Sequence, residues 1–245
     1  MSVMKIEAWS LSDRGLRRDS NQDSCLLDLE RGFFIVADGM GGHTGGEVAS
    51  SIAVETAAQI MSDDEAMERS PREVLIKVYE TASHRIFDKA ANENPELAGM
   101  GTTMVLGYIR GSSIYVANVG DSRCYLYRRP HLWQVTEDHS LINEQVRAGL
   151  LTEDQAEAMV GRNVITRSVG YERDVHPDVI ERQLQPGELY LLCSDGLTSM
   201  VEDDRIAEIL NTAPPEKVAS LCVEQALANG GDDNVTVMIL QVLAD

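Results

Sequence analysis

The chain has 245 residues, enough for one large domain or two small ones with a sizeable core. With 40 acidic against 21 basic residues its net charge is −19, so it lacks the positive footprint that nucleic acid or an anionic membrane demands. An anionic substrate would be repelled at long range unless local positive charge, such as a bound metal, offset the field.

The elements follow from the pattern of apolar residues. Residues 5–11 alternate in polarity and are closed by Gly15, which predicts a strand. Segments 25–28 and 32–37 flank a turn and predict a hairpin. Residues 47–61 carry Val48, Ala49, Ile52, Ala53, Thr56, Ala57 and Ile60 at helical spacing. A second helix opens at Ser70-Pro71-Arg72-Glu73, a capping box with proline at the first helical position, and 92–101 reads as a loop. Segments 102–109, 114–118 and 123–127 predict three strands of a meander. Two short helices are expected in 139–160, the second opened by Thr152-Glu153-Asp154-Gln155. A strand at 189–194, helices at 203–210 and 216–228, and a strand at 235–243 complete the series. No repeat, linker or low-complexity stretch interrupts it, so 1–245 reads as one domain. Because strands and helix pairs come in blocks, antiparallel sheets with helices packed outside are favoured over a parallel sheet.

No apolar run approaches the roughly 20 residues of a membrane span, and MSVMKIEAWSLSDRG lacks an apolar signal core. Cys25, Cys124, Cys193 and Cys222 are far apart without a CxxC pair, as expected of reduced core thiols in a cytoplasmic protein.

Four acidic motifs end strand-like runs: FFIVADGMGGH, YVANVGDSR, LYLLCSDG and GGDDNVTVMIL. In each, an aspartate stands where a buried strand meets a turn, namely Asp38, Asp121, Asp195 and Asp233. A single Asp-Gly is ordinary turn chemistry, but four such sites tied to core strands suggest carboxylates gathered at one end of a sheet. Gathered carboxylates repel unless cations neutralise them, so a multinuclear centre is the first expectation. Donors that are all oxygen favour Mg²⁺ or Mn²⁺ over zinc. His43, at the end of the first motif, is the candidate general acid.

These motifs, together with RDSNQD at 18–23, resemble the metal-dependent serine/threonine phosphatases of the protein phosphatase 2C (PPM) family, bacterial branch, over essentially the whole chain. The resemblance implies a four-layer α-β-β-α sandwich of the α+β class: two antiparallel sheets flanked by helices, with the metal centre at one end. It implies hydrolysis of phosphoserine or phosphothreonine by direct in-line attack of metal-activated water. Asp38 would bridge two ions with the Gly39 carbonyl on one; Asp195 and Asp233 would complete the other; Asp121 with Asp195 matches a possible third site. Asp23 would act through metal-bound water, and Arg18 would hold the phosphoryl oxygens. Gln22 stands where eukaryotic members have glutamate. Segment 139–169 matches the flap beside the site. Implied partners are phosphoprotein targets of a serine/threonine kinase, met by a cytoplasmic monomer.

Two decoys share this sequence. Cys25 and Arg31 have the spacing of a cysteine-dependent phosphatase loop, but the residues between them include no glycine and two acids. Asp19, Asn21, Asp23 and Glu30 imitate a calcium loop, but its turn position holds Ser24 and its flanks read as strands. Gly45-Gly46 is expected to serve close packing rather than phosphate binding.

Overall fold

The structure is a computed structural model that describes residues 4–63, 66, 68–92, 97–152, 155, 156 and 164–244. Eleven strands form two sheets among these residues. One is five-stranded, in the order β1 (Lys5–Asp13), β11 (Val235–Leu243), β10 (Leu189–Cys193), β7 (Arg123–Arg128) and β8 (His131–Gln134). The other runs β2 (Asp23–Asp28), β3 (Phe33–Met40), β5 (Met104–Arg110), β6 (Ser113–Val119) and β9 (Asp178–Gln183), with the short β4 (Gly101–Thr102) against β3. Every pairing between them is antiparallel.

The period-2 alternation of side chains builds the layers. In β3, Phe33 and Ile35 pack with the helices α1 (Gly42–Met61) and α2 (Pro71–Asn92), whereas Phe34 and Val36 pack toward the other sheet. In β10, Leu189, Leu191 and Cys193 face α5 (Asp203–Thr212) and α6 (Pro215–Ala228), while Tyr190 and Leu192 point inward. β11 repeats the rule, with Val237 and Ile239 outward and Met238 and Leu240 inward. Three apolar layers therefore separate four structural ones, giving the helix-sheet-sheet-helix sandwich that the resemblance implies. Two short helices, α3 (Leu141–Arg147) and α4 (Asp195–Thr198), sit outside this plan.

Several expectations need correction. The three-strand meander is not formed: β5 and β6 pair, but β7 leaves for the opposite sheet and pairs with β10. The turn between β6 and β7, which holds Asp121, is thus a crossover between sheets. Helix α1 starts at Gly42 rather than at residue 47, because glycines that read as loop allow the close approach described below. The edge strands β8 and β9 escape a hydrophobicity reading, since His-Leu-Trp-Gln and Asp-Val-Ile-Glu-Arg-Gln are largely polar and exposed. The capping boxes form as read. Glu73 N–H donates to Ser70 Oγ at 3.3 Å and Glu73 Oε2 accepts from Ser70 N–H at 3.1 Å. Gln155 and Thr152 make the equivalent reciprocal pair, although 153–154 and 157–160 of the expected helix lie outside the described residues. So do 93–96 of the expected loop.

The layer between the sheets should carry much of the stability. Leu192, fully buried there, is expected to cost about 2–5 kcal/mol when replaced by alanine. Urea denaturation of Leu192→Ala measures this, and a loss below about 1 kcal/mol would contradict the packing described.

Candidate active site

At one end of the sandwich the chain crosses between sheets more than once, and the acidic motifs meet there. Asp38 lies in β3 directly across the ladder from Asp23 in β2. Its backbone is clamped on both sides. Asp38 N–H donates to Thr103 Oγ1 at 3.1 Å, and its carbonyl accepts from Thr103 N–H and Thr102 Oγ1, each at 2.8 Å. Thr103 Oγ1 is also 2.7 Å from Ser122 Oγ, beside Asp121. Asp195 is the first residue of α4, and Asp233 immediately precedes Asn234 and β11.

Asn234 fastens the β1–β2 connection onto this end. Its Oδ1 accepts from Gln22 N–H at 2.8 Å, and its Nδ2 donates to the Arg14 and Ser20 carbonyls at 2.8 and 2.9 Å. That connection delivers Arg18, whose guanidinium donates to Asp233 Oδ2 at 2.5 Å. Close backbone approach completes the wall: a Cβ on Gly39 would sit 2.0 Å from the Gly46 carbonyl oxygen, and one on Gly46 would sit 2.5 Å from that of Gly39. Only glycine fits at either position.

The result is a cavity of about 410 Å³ lined by Arg18, Asp38, Gly39, Asp121, Asp195 and Asp233, with Gln22, Thr103, Ile165 and Asn234 among its other walls. Burial, and then the neighbouring carboxylates, push the Asp38 carboxyl well above its usual range. Asp121 rises to about 7 through burial, Asp195 and Asp138. Asp195 is also raised, by burial and by Asp233, although a hydrogen bond with Asp38 opposes the rise.

Behind this ring, Asp23 is buried and raised to about 7, chiefly by desolvation. Its Oδ2 accepts from Ser194 Oγ at 2.8 Å and Thr236 Oγ1 at 2.6 Å, while Oδ1 is buried with no hydrogen-bond partner among the described residues.

A family model described as protein phosphatase 2C matches residues 3–235. The serine/threonine phosphatase stp of Listeria monocytogenes is 36% identical over 237 residues, covering 94% of this chain and 93% of its own. The chain belongs to the protein phosphatase 2C family. Among solved structures, the Mycobacterium tuberculosis serine/threonine phosphatase PstP/Ppp superposes with a TM-score of 0.90 at 33% identity, covering 98% and 99% of the two chains. The catalytic domain of PstP in complex with two manganese ions gives a TM-score of 0.87, also at 33% identity, covering 99% and 100%. The protein is accordingly a metal-dependent serine/threonine phosphatase, and among its described residues no helix is long and apolar enough to cross a membrane.

Within this phosphatase, Arg18, Asp38, Gly39, Asp121, Asp195 and Asp233 all reach one cavity, and Asp23 stands one layer behind. His43 is the second residue of α1, and its side chain lies outside the described residues. The decoys go elsewhere. Burial and Asp23 raise the Cys25 thiol, which removes it as a thiolate nucleophile. Asp23 and Asp28 bound a strand, so the calcium-loop reading fails.

Asn234, Ser194, Thr236 and Thr103 are site residues that sequence reasoning missed. Ser194, Asn234 and Thr236 lie inside quoted motifs and Thr103 lies in none, and the partner of each is far away in the chain. Asn234 to Gln22 spans 212 positions and Thr236 to Asp23 spans 213. For Ser194 and Asn234 the available signal was a polar residue adjacent to a motif aspartate; Thr103 and Thr236 carried none.

Gly46 gives a test whose sign is informative. Glycine to alanine inside a helix usually stabilises by about 0.5–1 kcal/mol. Gly46→Ala is expected to lower the melting temperature instead, because its methyl would meet the Gly39 carbonyl. A raised melting temperature would show that the two backbones are not in contact.

Proposed function

We propose that the cavity is the phosphoryl-transfer site and that Asp38, the Gly39 carbonyl, Asp195 and Asp233 hold two divalent ions there, with Asp121 and Asp195 available to a third. The observation that carries this reading is the convergence of four carboxylates and one arginine on a single polar cavity. The donors suit hard cations: they are all oxygen, and burial with mutual repulsion raises Asp38, Asp121 and Asp195, a balance that nearby positive charge reverses. As placed, the carboxylates ring the space, and among the described residues no three of them form a ready-made cage. Mg²⁺ keeps several waters and typically uses only one or two carboxylates, so an open ring is compatible with Mg²⁺ and with the similarly hard Mn²⁺.

Bound ions would supply a water nucleophile acidified to near neutrality and would offset phosphate charge. The chain's own contribution is positional. Asp38 is fixed by Thr102 and Thr103, so its carboxylate is pre-aimed into the cavity. Asp23, locked by Ser194 and Thr236, presents its free Oδ1 as an acceptor that orients coordinated water. Arg18 is about half exposed at the rim, and its planar fork suits two phosphoryl oxygens. His43, next to the cavity-lining Gly42, is our proposal for the proton donor to the departing serine or threonine alkoxide. We further read residues 1–245 as one phosphatase domain, acting as a cytoplasmic monomer on the targets of a serine/threonine kinase.

Two substitutions test these roles. Asp38→Asn removes one charge from both proposed ions, and Mn²⁺-dependent hydrolysis of a phosphothreonine peptide is expected to fall at least about 100-fold with the fold retained. A variant keeping more than about a tenth of wild-type kcat, a penalty under roughly 1.4 kcal/mol, would refute the bridging role. Arg18→Ala is expected to raise KM for the same peptide while Mn²⁺ affinity by calorimetry stays nearly constant. Loss of metal binding with KM unaltered would assign Arg18 to the metal side instead.

A further inference from the structure

His139 is a buried side chain outside the cavity, and its hydrogen bonds converge on the turn that carries Asp121. Gly120 N–H donates to His139 Nδ1 at 3.0 Å, and His139 N–H donates back to the Gly120 carbonyl at 3.0 Å. The same carbonyl accepts from Asn118 Nδ2 at 3.2 Å. Both backbone groups of Gly120 are thereby tied. Gly120 has φ of +104°, and a Cβ there would lie 2.6 Å from Thr103 Cβ, so the turn has one tight conformation.

The other half of His139 faces the segment 164–178. Its carbonyl accepts from Thr166 N–H at 2.8 Å, and Ser140 bridges Ile165, a wall of the cavity. Nε2 lies 2.9 Å from Asp178 Oδ2 and 2.8 Å from an Arg167 nitrogen, which is itself 3.3 Å from both Asp178 oxygens. Arg167 also donates to the His176 carbonyl. A backbone amide can only donate, so Nδ1 must carry the lone pair and Nε2 the proton. That proton goes to Asp178, and Arg167 then serves Asp178 rather than the ring.

We propose that His139 is a positioning residue that ties the 164–178 segment to the Gly120–Asp121 turn, and so sets the affinity of the Asp121 carboxylate for a divalent cation. The proposal rests on Asp121 being a metal ligand. Removing a group that orients a ligand typically costs 10–100-fold in metal affinity. The acceptor at the Nδ1 position is the essential feature, and it can be tested separately from ring volume. Asparagine places Oδ1 where histidine has Nδ1, whereas leucine fills space with no acceptor.

The experiment is Mn²⁺ titration by calorimetry on the full chain, with melting temperatures in EDTA as the check on folding. Asp121→Asn and His139→Leu are each expected to weaken the lowest-affinity Mn²⁺ at least tenfold, and His139→Asn to stay within threefold of wild type. At saturating Mn²⁺, His139→Leu should recover kcat to within about threefold, which a merely disrupted core would not do. If Asp121→Asn weakens binding and His139→Leu stays within twofold of wild type, the positioning role is overturned and the ligand reading survives. Unchanged binding in Asp121→Asn overturns both. Equal weakening in the leucine and asparagine variants also overturns the role, since the acceptor would then be irrelevant. Should His139→Leu fail to fold, Asp178→Ala frees the ring from a half-exposed partner. A threefold or greater loss of Mn²⁺ affinity there supports the proposal, and an unchanged affinity overturns it.

Discussion

Burial of several carboxylates side by side is the constraint around which this fold is arranged. Asp23, Asp38, Asp121 and Asp195 are each raised first by burial and then by other carboxylates. A carboxyl moved from 3.8 to about 7, as at Asp23, represents a few kcal/mol of differential interaction. Isolated loops would relax by moving the carboxylates apart. Here they cannot, because each is tied to a strand or helix end whose position is fixed by an apolar layer. The three packed layers offset the cost of burial and repulsion and hold the charges where the proposed cations would neutralise them.

The position of the cavity follows from connectivity. A sandwich needs the chain to change sheets, and three connections on this path do so at the catalytic end: β1 to β2, β6 to β7, and β8 to β9. Crossovers cannot be satisfied by ladder hydrogen bonds, so their backbone groups need other partners. Asn234 supplies them for the first, and His139 with Asn118 for the second. Groups that might pass for loop decoration therefore determine where Arg18 and Asp121 stand. Ligand geometry and fold topology are one problem in this molecule.

The sequence disclosed some of this and not the rest, for physical reasons. Runs such as Leu189–Cys193 were plain because strands covered on both faces are continuously apolar. The aspartates were plain because each interrupts such a run. β8 and β9 were not, since edge strands face water and keep polar side chains. The departure of β7 to the other sheet was also invisible, because a short glycine-containing turn looks the same whether it returns to its own sheet or leaves it. The start of α1 was hidden by glycines that read as loop, one of which, Gly46, serves close contact with the Gly39 backbone. His139 carried no local signal at all: its partners at positions 120, 167 and 178 become neighbours only in the folded chain.

Arg18 shows how magnitudes decide between two uses of one side chain. Its contact with Asp233 is short, at 2.5 Å, but the partners' side chains are 49% and 28% exposed. Ion pairs at that exposure contribute about 0–1 kcal/mol, since solvent screens them and ordering a long side chain opposes them. A phosphoryl group brings more charge than one carboxylate and offers two oxygens to the guanidinium fork. Under the roles proposed above, it would also meet Arg18 in a cavity where cations engage Asp233. Exchange of partners is then favoured on both sides: Asp233 gains a divalent ion in place of a single guanidinium charge, and Arg18 gains a bidentate dianion. On that proposal the pair is a resting position, weak enough to hold Arg18 at the cavity rim without opposing its transfer to a phosphoryl group.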